Sequence, residues 1–198
     1  MGSRATIDIS ERQTAIVIGK VLGDDCLEKN GKHTRLKVDH SERQKEYVFW
    51  LHRELSSLIP SKPYQIQYRR KGVINSNWRF ATYSLPVFDE FRLNFYGNHG
   101  RQVPAKIKSL LNPLSLAVWY MDDGYKRTDR SGVYLCTSSF SKSDHSKLMA
   151  CLLNAYGLKT KVHYAGGYPR IHIPSKDAKR FCTIIKPFIL DSLSYKLL

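Results

Sequence analysis

From Glu11 to Leu22 the sequence ERQTAIVIGKVL carries Ala15, Ile16, Val17, Ile18, Val21 and Leu22 with small Gly19 and Gly23. That density predicts a largely buried helix stopping at Gly23-Asp24-Asp25. From Lys32 to Asp39 the period changes: Arg35, Lys37 and Asp39 alternate with Leu36 and Val38, as in a strand with one wet face. Ser41 to Leu55 opens on a capping serine and an acidic first turn and predicts a second helix. Two strands follow. In Tyr64 to Arg70, Gln65, Gln67 and Arg69 alternate with Ile66 and Tyr68; in Asn75 to Tyr83, Asn77 and Arg79 alternate with Trp78 and Phe80. The aromatic stretch Val87 to Tyr96 predicts a third helix.

The order then recurs. Pro113 to Met121 (PLSLAVWYM) predicts an apolar helix ending in Asp122-Asp123-Gly124, and Val133 to Phe140 a strand. Ser143 to Tyr156 reads as an amphipathic helix stopped by Gly157. Lys159, Lys161 and His163 alternate with Val162 and Tyr164, Arg170 and His172 alternate with Ile171 and Ile173, and Lys176 to Leu190 forms the last helix. Each half therefore reads helix, two strands, helix, two strands, helix, which is a duplicated unit and not a solenoid. The halves are expected at 1–100 and 114–198, joined by a linker at 101–113.

Charge changes the picture. With 32 Lys plus Arg against 17 Asp plus Glu, the net charge is +15, yet 42% of residues are hydrophobic and 12% aromatic, so a packed core is expected and a disordered basic tail is not. A folded, strongly basic chain points to a polyanionic partner, nucleic acid before an anionic membrane surface. The four cysteines, at 26, 136, 151 and 182, form no C-x-x-C pair and fit no zinc spacing, so reduced core thiols are expected. No apolar run reaches a membrane span and no secretory signal pattern opens the chain, which predicts an intracellular setting without membrane contact. His33, His99 and His145 lack partners at ligand spacing and read as surface histidines.

The unusual chemistry is a pair of acidic helix ends. A helix C-terminus carries roughly −0.5 of a charge, so carboxylates there cost ~0.3–1 kcal/mol each. One Asp-Gly at such a place is an ordinary turn; two at matching places in a duplicated chain call for another explanation. If the two apolar helices pack side by side, which Gly19 and Gly23 permit, the acids meet at one point. Two convergent carboxylates without a neighbouring base suit a hard divalent cation, Mg²⁺ first.

Here the chain resembles a known family, the LAGLIDADG homing endonucleases. Leu116-Ala117-Val118-Trp119-Tyr120-Met121-Asp122-Asp123-Gly124 is similar to the nine-residue motif, and Val17 to Asp25 (VIGKVLGDD) is a looser copy in which Lys20 breaks the apolar run. Tyr96 to Pro104 leading to Pro113-Leu114-Ser115 resembles the inter-repeat segment, and Pro187-Phe188-Ile189 with Ser194-Tyr195-Lys196-Leu197 resembles the C-terminal signature. The resemblance implies that Asp24 and Asp123, at the eighth motif position, hold the metal, with Asp25 and Asp122 as bystanders. It also implies a basic residue beside each metal; Lys196 and Arg101 are the matching candidates.

The polar strand positions add a candidate reading surface: Arg35, Lys37, Gln65, Gln67, Arg69, Asn77 and Arg79 in the first half, Lys159, Lys161, His163, Arg170 and His172 in the second. Arg, Lys, Gln and Asn read base edges in a major groove wide enough for a β-ribbon, whereas period-two polarity alone is what any one-sided sheet shows. The near-absence of acids on these strands, Asp39 apart, favours DNA. The expected fold is α/β, two pseudosymmetric αββαββα halves whose antiparallel sheets saddle the DNA. The expected function is site-specific cleavage of a long asymmetric double-stranded DNA target by a monomer, leaving 3′ overhangs. Mg²⁺ is the expected cofactor, with Mn²⁺ as a substitute and Ca²⁺ supporting binding without cleavage. An RNA-binding intron maturase of the same fold, with intron RNA as partner, is the alternative.

Overall fold

A computed structural model describes residues 7–24, 26–97, 100–128 and 132–198. Along the chain lie α1 (Glu11–Leu22), β1 (Cys26–Asn30), β2 (His33–Ser41), α2 (Lys45–Glu54), β3 (Tyr64–Arg70), β4 (Val73–Ala81) and α3 (Pro86–Phe95). They are followed by short β5 (Tyr96–Gly97), β6 (Gly100–Arg101) and α4 (Ile107–Leu110), then α5 (Pro113–Asp123), β7 (Gly124–Lys126), β8 (Gly132–Cys136), α6 (Lys142–Tyr156), β9 (Lys161–Ala165), β10 (Tyr168–Pro174) and α7 (Ser175–Ile185). Two four-stranded antiparallel sheets have the same order twice, β1-β2-β4-β3 and β7-β8-β10-β9. The expected duplication and its antiparallel sheets are therefore present. No helix among the described residues is long and apolar enough to cross a membrane.

The chain forms two compact units. The first holds the described residues of Met1–Thr14 and Asp25–Arg92, the second Ala15–Asp24 and the described residues of Leu93–Leu198. In the first, Leu36, Val38 and Phe80 on one sheet face are fully buried with Tyr47, Val48 and Leu51 of α2. Burial of each such side chain contributes ~1.5–3 kcal/mol. In the second, Val133, Leu135, Ile171 and Ile173 occupy the corresponding sheet face, and Ala178, Phe181 and Ile185 line the apolar stripe of α7.

Local chemistry explains the boundaries. Pro113 starts α5 behind an Asn112 side chain that accepts the Ser115 N–H, and α6 starts behind a Ser141–Asp144 capping box and stops at left-handed Gly157 (φ 66°). The last helix was expected to run to Leu190, but it ends at Ile185, because Pro187 lacks the N–H a continuing helix needs; 3₁₀ turns at Lys186–Phe188 and Asp191–Lys196 follow. The expected αββαββα order counts β1 and β7, but the sequence pattern gives neither of them a range. Both are short edge strands, and CLEKN in β1 has the polarity of a loop.

One ion cluster in the first unit carries a pH prediction. Asp89, in the first turn of α3, accepts the Thr34 hydroxyl at 2.6 Å, Lys29 Nζ at 2.9 Å and His33 Nδ1 at 2.7 Å. The Thr34 bond foremost, then those of Lys29 and His33, hold the Asp89 carboxyl well below its ordinary value of 3.8. A depressed carboxyl stabilises the fold above its unfolded pKa and loses that contribution as pH falls through the folded one. Asp89→Asn should therefore lower the melting temperature at neutral pH, with the gap to wild type closing as pH drops below about 4. Melting curves from pH 7 to pH 2 check this; a gap that does not change with pH would refute it.

Candidate metal centre and nucleic-acid interface

The acidic ends lie together in the second unit because two helix backbones touch. A Cβ added to Gly19 would lie 2.6 Å from the Ser115 carbonyl oxygen and 2.6 Å from Val118 Cβ, and one added to Gly23 would lie 2.5 Å from Asp122 Oδ2. Only glycine permits that approach. Asp24, just past the end of α1, and Asp123, the last residue of α5, are thereby brought close enough for their carboxyls to interact. Burial first, then the charge and hydrogen bond of Asp24, push the Asp123 carboxyl well above the usual range, and Arg101 opposes the shift. Two carboxylates this close repel unless they share a proton or a cation.

Both expected basic residues are beside them. Arg101 in β6 donates from Nη1 to the Gly23 carbonyl at 2.5 Å. Lys196, only 8% exposed, donates from Nζ to the Met121 carbonyl at 2.5 Å and to those of Tyr120 and Asp122 at 3.4 Å each, and Tyr120 donates its hydroxyl to the Lys196 carbonyl at 2.6 Å. It thus caps the negative end of α5. Burial pulls the Lys196 ammonium pKa down, while Asp122, Asp123 and Asp24 hold it up.

Lys20 and Asp122 correct the reading of the motif helices. Lys20 Nζ lies 2.5 Å from Asp122 Oδ1, and both side chains are fully buried. The charge that breaks the first motif is therefore matched by the extra acid of the second, and Asp122 is no bystander. The signal in the sequence was a lysine inside the apolar run of one helix and a second aspartate at the end of the other. Asp25 lies outside the described residues. Among the described residues no three His, Cys, Asp or Glu side chains gather as a metal site. Asp24 and Asp123 fit a hard cation that takes its other ligands from water and phosphate.

The sheets divide the expected reading residues. Antiparallel register places Arg35, Lys37, Asn77 and Arg79 on one open face, where Glu28 pairs with Arg35 and Lys37, and Asp39 with Arg79 and Asn77. Glu28 belongs to the unforeseen β1, so the face carries two acids and not Asp39 alone. Gln65, Gln67 and Arg69 do not share it. Tyr64 pairs with Arg79 and Ile66 with Asn77, so Tyr64, Ile66 and Tyr68 point to the open face and the three polar residues to the other side, where Gln65 donates to Glu42 at 2.6 Å. The alternation of β3 predicts the wrong parity because this edge strand is exposed on both faces, so polarity does not mark the open one.

In the second sheet Lys161, His163, Arg170 and His172 share the open face with Tyr125 and Tyr134. Lys159 precedes β9 and lies in an exposed connection, its backbone N–H donating to Asp177. The two histidines are stacked at 4.3 Å between ring centroids, Tyr134 lies over His172 at 4.9 Å, and the Arg170 guanidinium lies 5.5 Å from the rings of both Tyr125 and Tyr134. His172 is buried, with its pKa lowered by burial first and then by His163, Arg127 and Lys161, so it supports its neighbours more than it meets solvent. Of the expected surface histidines, His145 is buried on Thr137 and Ser141, His33 pairs with Asp89, and His99 lies outside the described residues. All four cysteines are free, but only Cys151 and Cys182 are buried.

A twice-repeated αββαββα chain with paired acidic helix ends falls in the class of DNA-cleaving hydrolases. The chain belongs to the LAGLIDADG DNA endonuclease family, whose sequence profile matches residues 14–181. It is similar to the cytochrome b mRNA maturase bI2 of Debaryomyces hansenii, 31% identical over 96% of this chain and 74% of that protein. The probable intron-encoded endonuclease 1 of Wickerhamomyces canadensis is 28% identical over 96% of this chain and 85% of its own. Among solved structures, the homing endonuclease I-WcaI bound to its DNA recognition sequence superposes with a TM-score of 0.89 at 27% identity, over 98% of this chain and 88% of that one.

Proposed function

We propose that this chain is a site-specific, Mg²⁺-dependent endonuclease that hydrolyses both strands of a long, asymmetric DNA target and leaves 3′ overhangs. The observation that carries the proposal is the placing of Asp24 and Asp123 together at the ends of two touching helices. In this reading each aspartate holds a cation against one scissile phosphate. Bound Mg²⁺ supplies an activated water and stabilises the leaving oxygen, and Mn²⁺ replaces it. Lys196 and Arg101 set positive charge beside the acids, where phosphate charge builds up. The open sheet faces read the two half-sites. Arg35, Lys37, Asn77 and Arg79 serve one, held in place by Glu28 and Asp39; Lys161 and Arg170 serve the other over their aromatic floor. The chain acts as a monomer, since both motif copies lie within it.

The test is Mg²⁺-dependent cleavage of a randomised duplex library, followed by mapping of the cut ends. Arg170→Ala should relax preference at one or two base pairs on one side of the selected target, at a cost of ~1–3 kcal/mol. Uniform weakening across all sequences would instead make Arg170 a phosphate contact. The maturase reading rests on the 31% identity to a cytochrome b mRNA maturase. Intron RNA bound and spliced, with no DNA cut, would establish it in place of the first.

A further inference from the structure

The two aspartates of the site are held by different means. Asp123 is the last residue of α5, and the N–H of Gly124 closes that helix on the Tyr120 carbonyl, so its backbone is fixed by its own helix. Asp24 lies beyond Leu22, the last residue of α1, separated from it by Gly23. Its backbone N–H points to Asp122 Oδ2 at 3.4 Å, while Oδ1 of the same carboxylate takes the Lys20 ammonium at 2.5 Å. That carboxylate lies against Gly23, where a Cβ would meet Oδ2 at 2.5 Å and the Asp122 Cβ at 2.6 Å. The motif alignment matches Lys20 to Trp119 and Asp122 to Gly23. Glycine has no side chain, so the repeat offers Asp123 nothing equivalent.

We propose that Lys20 and Asp122 position Asp24 more than Asp123, so that cleavage of the two DNA strands depends on them unequally. The inference rests on the endonuclease reading above. Lys20 holds the Asp122 carboxylate, and the carboxylate holds the turn that presents Asp24. A device that served only to join the helices would act on both half-reactions alike.

The double variant Lys20→Met/Asp122→Ala tests this in the full chain. Removing both members of a buried ion pair leaves no unpaired charge, which is often nearly neutral for folding. The melting temperature and binding of target DNA in Ca²⁺ should therefore persist. On a duplex labelled separately on each strand, cleavage of one strand should fall about tenfold or more and that of the other about twofold or less, so that nicked product accumulates. The slowed strand should be the one that Asp24→Asn slows most. Lys20→Leu/Asp122→Val, which also lacks an acceptor for the Asp24 N–H, should give the same strand bias if the first pair fails to fold. Equal slowing of both strands, or no slowing, in a folded variant overturns the inference and leaves the endonuclease reading intact. A wild-type chain that cuts neither strand of any target overturns both.

Discussion

Asp24→Asn and Asp123→Asn should each lower cleavage of the selected target by roughly a thousandfold or more, while affinity measured in Ca²⁺ stays level or rises slightly. The substitution replaces one carboxyl of the pair with a neutral amide, and the open strand faces proposed to meet DNA keep their side chains. It also relieves repulsion between close carboxylates, so the melting temperature of either variant should match or exceed that of wild type. Asp122→Asn should behave in the opposite way. It removes the charge that faces the fully buried Lys20 ammonium at 2.5 Å, which costs about 3–5 kcal/mol of stability, and any loss of cleavage then follows loss of fold. Cleavage in Mg²⁺, binding in Ca²⁺ and thermal melting of the three variants separate chemistry from folding. Normal cutting by both Asp24→Asn and Asp123→Asn would end the assignment of these residues.

The residues that make the acidic pair were legible because their signals are local: apolar runs, helix stops and glycines, repeated in order. The bounds of α1 and β3 match the periodicity reading, and α5 ends at the expected acids. What stayed hidden depends on partners distant in the chain. Lys20 looked like a flaw in an apolar helix until Asp122 lay 2.5 Å from it, and nothing near Lys20 in sequence announces that contact. Which way Gln65, Gln67 and Arg69 point is a question of register, fixed by pairing with β4 and not by alternation within β3. Likewise Lys196 is buried against carbonyls at the end of α5, 75 residues away in the chain.

The second large effect is expected at Gly19, where two principles disagree in sign. Helix propensity alone predicts that Gly19→Ala stabilises α1 by about 1 kcal/mol. Packing predicts the reverse. The added methyl would sit 2.6 Å from the Ser115 carbonyl oxygen, a backbone atom that cannot turn away as a side chain can, and equally close to Val118 Cβ. The two helices must then separate where both are fully buried, along Ile16, Val17 and Ile18 on one and Leu116, Ala117 and Val118 on the other. Gly19→Ala should therefore be net destabilising, and Gly19→Val, which adds branched bulk in a helix, should reach the upper end of overpacking costs, about 3 kcal/mol. Separation also pulls Asp24 away from Asp123, so cleavage should drop more steeply along Gly, Ala, Val than stability does. Gly31→Ala serves as the control: open space surrounds it, so the only cost is that of its positive φ of 67°, about 1–2 kcal/mol. Urea unfolding of the three variants, read beside their cleavage rates, decides the matter, and a stabilised Gly19→Ala would mean that the helix backbones do not touch.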